Sequence, residues 1–85
     1  MNSLQRGEIL RKFVVKELEA RQGGKLFQLG DTDSLIESEL ADSLFFVDLI
    51  IFLEIKFSVK FDSATIGAED LDSIEKMVAL IESRS

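Results

Sequence analysis

Three serines in this 85-residue chain sit in almost the same triplet: Asp-Ser-Leu at 33–35, Asp-Ser-Leu at 42–44 and Asp-Ser-Ile at 72–74. A serine hydroxyl can act as a nucleophile, carry a covalently attached group, or cap a helix, and its surroundings decide which. Nucleophilic chemistry needs an activating partner, most often histidine, and the chain contains neither histidine nor cysteine. The same absence removes a disulfide framework, a thiolate nucleophile and the usual zinc ligands. Pairs of carboxylates could still do acid–base work, but a short chain without an evident cleft offers little to raise a carboxylate pKa toward neutrality. No enzymatic activity is expected of this chain.

Asp31, Asp33, Glu37, Glu39 and Asp42 lie close together, and Asp31 to Asp42 spans twelve positions, as an EF-hand loop does. The fit fails in detail. The fifth position is Leu35, the sixth is Ile36 where glycine is needed, and the last is an aspartate. No metal site is expected.

The elements that position these residues follow from apolar spacing. From Ser3 to Arg21, Ile9, Leu10, Phe13, Val14 and Leu18 recur every three or four residues between charges, which predicts an amphipathic helix. Gly23 and Gly24 end it. Residues 25–41 show no period and read as a long loop anchored by Leu26, Phe27, Leu29, Leu35, Ile36 and Leu40. A second helix begins at Asp42 or Ser43 and runs to about Phe57, with Phe46, Leu49, Ile50, Leu53 and Phe57 as its core stripe. Leu44, Val47, Ile51 and Ile55 lie opposite with Asp48 and Glu54, and Phe45 and Phe52 sit toward one flank. A helix apolar nearly all round is either fully buried or offered to a partner, and a domain this small can hardly bury one completely.

After a loop at Ser58 to Gly67, in which Val59 and Phe61 alternate without a strand partner, comes the short turn AEDL at 68–71. The closing helix uses Ile74, Met77, Val78, Leu80 and Ile81; Asp72 or Ser73 caps it, and Asp72 with Glu75 resembles a capping box. The fold class is therefore all-α: a bundle of three main helices plus one short helix in a single domain over residues 1–85.

Charge is unevenly distributed. Residues 1–25 carry a local balance of +3, whereas from Leu26 to Ile55 there is no lysine or arginine and the balance is −7. Such a block repels nucleic acid and attracts a basic protein surface. The start MNSLQRGEILRK lacks the apolar run of a secretory signal, and the longest apolar stretch, LFFVDLIIFL at 44–53, is broken by Asp48 and is too short to span a bilayer. The chain is expected to be cytoplasmic and monomeric, with no membrane span.

These surroundings separate the serines. Ser73 has a sufficient role as a helix cap, and Asp33 with Ser34 reads as a turn. Ser43 could also be a cap, but it stands where a long loop meets the most apolar helix, inside the acidic block. A phosphate ester there would gain from the helix dipole and the free N–H groups.

The segment SLIESELADSLFFVDLIIFLEIKF resembles the region around the prosthetic-group serine of acyl carrier proteins and related peptidyl carriers. It has an apolar loop residue, Asp-Ser-Leu, and then a helix of apolar spacing with acidic residues that ends in Leu-Glu-x-x-Phe. The likeness covers most of the chain, since the first helix, the long loop and the closing LDSIEKMVALI also fall where that family has them. It implies an acyl-carrier-like bundle in which Ser43 bears 4′-phosphopantetheine through a phosphodiester and the terminal thiol holds an acyl or aminoacyl thioester. It further implies that Asp42 and Leu44 are read by a phosphopantetheinyl transferase. Val47, Asp48, Ile51 and Glu54 would form the face that meets acyl-loading and acyl-transferring enzymes through their basic docking surfaces. The absent cysteine and histidine fit this reading, because the reactive sulfur would belong to the cofactor.

Departures are informative. Glu39 stands where many relatives have glycine, Asp62 where proline is frequent, and Phe45, Ile55 and Lys56 where housekeeping carriers are commonly polar or acidic. They point to a specialised carrier with a dedicated pathway in lipid or secondary metabolite biosynthesis, rather than the general fatty acid carrier. The alternative is an interaction module with the same helical fold and an unmodified Ser43.

Overall fold

The computed structural model describes residues 2–62 and 65–84. It is all-helical: α1 (Ser3–Arg21), α2 (Ser43–Phe57), a 3₁₀ helix (Ala68–Leu71) and α3 (Ile74–Arg84), with no strand among the described residues.

Each α-helix begins at a side-chain cap. Asn2 accepts the Gln5 N–H at 2.9 Å while Gln5 accepts the Asn2 N–H at 3.0 Å, so α1 opens with two satisfied backbone donors. It ends at Gly23 and Gly24, whose φ values of +69° and +91° belong to the left-handed region that glycine enters at little cost. Asp42 caps α2, and Ser73 caps α3 by accepting the Lys76 N–H at 3.2 Å. Ser58, at the C-terminal end of α2, takes φ +54° without being glycine.

The core is one cluster: Leu10, Val14 and Leu18 from α1, Leu29 and Leu35 from the loop, Phe45, Leu49 and Leu53 from α2, Val59 and Leu71, and Ile74, Met77 and Ile81 from α3. In α2 the buried line is centred on Phe45 rather than on Phe46, Ile50 and Phe57, which are only half-buried. Packing by α1 explains the rotation. Phe13 stacks on Phe52 with centroids 3.9 Å apart, and the Arg21 guanidinium lies over Phe45, so the flank that carries Phe45 and Phe52 is the covered one.

The long loop is anchored by fewer residues than its composition suggests. Phe27 and Leu29 turn inward in alternation, which leaves Leu26 84% exposed. Leu35 is fully buried, but Ile36 points outward from the turn that follows it.

Candidate functional site

Asp72 joins two of the three triplets. Its carboxylate accepts the Ser34 hydroxyl at 2.8 and 2.9 Å and the Ile36 N–H at 2.8 Å, and its carbonyl accepts the Leu35 N–H at 2.7 Å. Ser34 in turn accepts the Glu37 N–H at 3.1 Å, and Asp33 closes its turn by accepting the Gly30 N–H at 2.7 Å. Asp72 therefore holds the loop rather than forming a capping box with Glu75, whose N–H goes to the Asp31 carbonyl at 3.0 Å. Burial pushes the Asp72 carboxyl upward, but the Ile36 N–H, the Ser34 hydroxyl and the Lys76 charge outweigh it and hold the group below the ordinary aspartate value.

The triplet at 42–44 is organised differently. Asp42 is the cap of α2, its Oδ1 accepting the Phe45 N–H at 2.8 Å, and Ser43 is the first helical residue. Capping thus falls to the aspartate and leaves the serine without that role. Ser43 is exposed and its hydroxyl makes no hydrogen bond among the described residues, whereas the Ser34 and Ser73 hydroxyls are both committed to the fold. The Phe45 N–H, with the Arg21 charge beside it, holds the Asp42 carboxyl below its ordinary value, against the upward pull of desolvation. Asp42 is therefore ionised at neutral pH and poorly suited to take a proton from its neighbour. Ser43 is an accessible hydroxyl with no activating side chain bonded to it. It can receive a group when another catalyst supplies the activation.

The other residues singled out from the sequence share a face. At 3.6 residues per turn, Ser43, Leu44, Val47, Asp48, Ile51 and Glu54 fall within an arc of about 140° on α2, opposite the buried line of Phe45, Leu49 and Leu53. Leu44, Val47, Ile51 and Ile55 are 62%, 51%, 49% and 77% exposed, an apolar ridge that continues from Ser43 along the helix. Asp48 is exposed with no ion pair among the described residues. Glu54 lies at the edge of this face and is half-buried, accepting the Phe61 N–H at 3.0 Å.

One residue of the site was not apparent from the sequence. Arg21, in the last turn of α1, reaches across to Asp42, with Nη1 3.3 Å from both carboxylate oxygens. Nothing in the 20 residues between them signals that contact, since it depends on how α1 packs on α2. The acidic side chains of the loop diverge: Asp31 pairs with Arg11, Asp33 turns to Gly30, and Asp42 to Phe45 and Arg21. Among the described residues no three carboxylates converge as metal ligands. Three open grooves of about 460, 570 and 460 Å³ follow α1, one over Gly7 and Val78, one over Val15 and Phe27 and one over Gln5 and Ile9, and Ser43 lines none of them. No described helix is long and apolar enough to cross a membrane.

No protein-family model, curated protein or solved structure matches this chain.

Proposed function

We propose that this chain carries acyl or aminoacyl intermediates as thioesters on a 4′-phosphopantetheine attached to Ser43 and presents them to enzymes of fatty acid or specialised lipid or secondary metabolite biosynthesis. The observation that carries this reading is the unequal use of the three triplet serines. Ser34 and Ser73 are bound into the fold, while Ser43 stands exposed, unbonded and past its helix cap. The residues around it fit the group. Nothing is hydrogen-bonded to the hydroxyl that an ester would displace, and Arg21 offsets the one neighbouring carboxylate.

When bound, the cofactor supplies a thiol on a flexible arm, which is the nucleophile this chain lacks. The chain's own residues have three roles. Asp42 fixes the first turn of α2 and with it the direction of the Ser43 Cα–Cβ bond. The ridge of Leu44, Val47, Ile51 and Ile55 offers apolar contact area to a partner. Asp48, free of any described cation, adds a charge that steers basic surfaces toward the ridge. Steering of this kind raises association rates without demanding slow release, as successive delivery to several partners requires.

The test is intact-protein mass spectrometry after incubation with coenzyme A and a broad-specificity phosphopantetheinyl transferase, with a known carrier in parallel and Ser43→Ala as control. The expected result is one added phosphopantetheine on the original chain and none on the variant. Ser43→Ala should keep its thermal midpoint, because the serine hydroxyl supports no hydrogen bond among the described residues. An unmodified chain beside a modified reference carrier would overturn the reading in favour of an interaction module built on the same apolar ridge.

A further inference from the structure

The sequence leaves the neighbourhood of Ser43 without a cation, and the fold brings one from another helix. The Arg21 Nη1 stands 3.3 Å from both oxygens of Asp42, and its guanidinium carbon lies 5.5 Å from the centroid of the Phe45 ring. Asp42 and Phe45 bracket Ser43 in the chain, so the guanidinium is held against the first turn of α2 by contacts on either side of the serine. The Arg21 side chain is 24% exposed and that of Asp42 63%, so the pair stays open to screening by salt.

Two features make this arginine available for a new partner. Asp42 caps α2 through the Phe45 N–H and does not need Arg21 to do so. The ring of Phe45 holds the guanidinium by its face, an attraction that persists when the hydrogen-bonding edge turns elsewhere. A guanidinium edge offers paired donors that match two phosphate oxygens, which a lysine cannot reproduce.

We propose that Arg21 is the phosphate-pairing residue of the Ser43 site. When the Ser43 Oγ–P bond forms, the pyrophosphate P–O bond of coenzyme A breaks, adenosine 3′,5′-bisphosphate leaves and the hydroxyl proton passes to a base of the transferase. The singly charged diester then lies next to the Asp42 carboxylate. Arg21 turns from Asp42 to the two free diester oxygens while keeping its place over Phe45. The inference rests on the carrier reading and deepens it: the root of the charged arm is held by α1, not by α2 alone.

A thermodynamic cycle tests this. Wild type, Arg21→Gln, Arg21→Lys and the distant control Lys16→Gln are each prepared unmodified and modified, and the change in thermal midpoint on modification is compared within each pair. Losses of Arg21→Gln that modification leaves unchanged, such as the contact with Phe45, cancel in the comparison, whereas the Arg21–Asp42 contact that wild type gives up on modification is subtracted. The change is expected to be less favourable for Arg21→Gln than for wild type by about 4 °C, the excess of the diester contact over the Asp42 contact that it replaces. Arg21→Lys should fall between them, and Lys16→Gln should behave as wild type. The diester ³¹P resonance should move with added salt in the wild type and much less in Arg21→Gln. Equal midpoint changes in wild type and Arg21→Gln would overturn the assignment. Absence of modification in every variant, visible by mass before any midpoint is read, would instead remove the carrier reading and this inference with it.

Discussion

Replacing Asp72 by alanine should weaken the fold more than any other exposed-edge substitution in the loop region. Its carboxylate receives two hydrogen bonds from groups 36 and 38 residues away, the Ile36 N–H and the Ser34 hydroxyl. Bonds to a charged acceptor contribute about 1.5–3 kcal/mol each, and partial exposure of Asp72 argues for the low end, so the loss is about 3 kcal/mol. With a urea slope of about 1 kcal/mol per M, typical of a domain this small, the unfolding midpoint should fall by about 3 M. Asp72→Asn, which keeps an acceptor and loses the charge, should lose roughly half as much. Ser34→Ala should cost about 1 kcal/mol alone and less in the Asp72→Ala background, where only its bond from the Glu37 N–H remains to be lost.

The same residue has a pH signature. Its folded-state pKa lies below the ordinary 3.8, so its contribution is complete above that value and is lost as pH falls through the lower folded-state value. The stability gap between wild type and Asp72→Asn should hold steady from pH 7 to about 5 and close below about 3.8. A loss under 0.5 kcal/mol for Asp72→Ala (about one typical surface substitution), or a gap that widens in acid, would refute the role given to Asp72.

Glu39 holds a left-handed φ of +63°, so Glu39→Gly should stabilise the chain by about 0.5–1 kcal/mol after glycine's extra unfolded-state entropy is allowed for; an unchanged or lowered urea midpoint would contradict this. Leu49 is fully buried at the centre of α2, and Leu49→Ala should cost about 2–5 kcal/mol, lowering the thermal midpoint by about 10 °C or more in calorimetry.

Much of the helical layout was legible in the sequence because helices are written locally. The spacing of Leu10, Val14 and Leu18, the glycine pair at 23–24 and the serine before Ile74 act within a few residues, so their consequences can be read without knowing the fold. Glu39, a departure from the glycine common in the family the chain resembles, adopts a left-handed backbone that its residue type does not announce. The side of α2 that faces inward was less legible. Its apolar residues surround the helix, so periodicity alone selected Phe46, Ile50 and Phe57, and only the packing of Phe13 and Arg21 brought Phe45 into the core.

The sequence by itself determined three helices and a short turn, an acidic middle segment with an exposed apolar ridge, and a chain that brings no cysteine or histidine to any site. The tertiary structure decided which serine is left free and what stands beside it. Asp72 reaches Ser34 across 38 residues, and Arg21 reaches Asp42 across 21. Such contacts have no local signature, because they arise only when helices whose ends are far apart in the chain pack to a common core and bring those ends within hydrogen-bond distance.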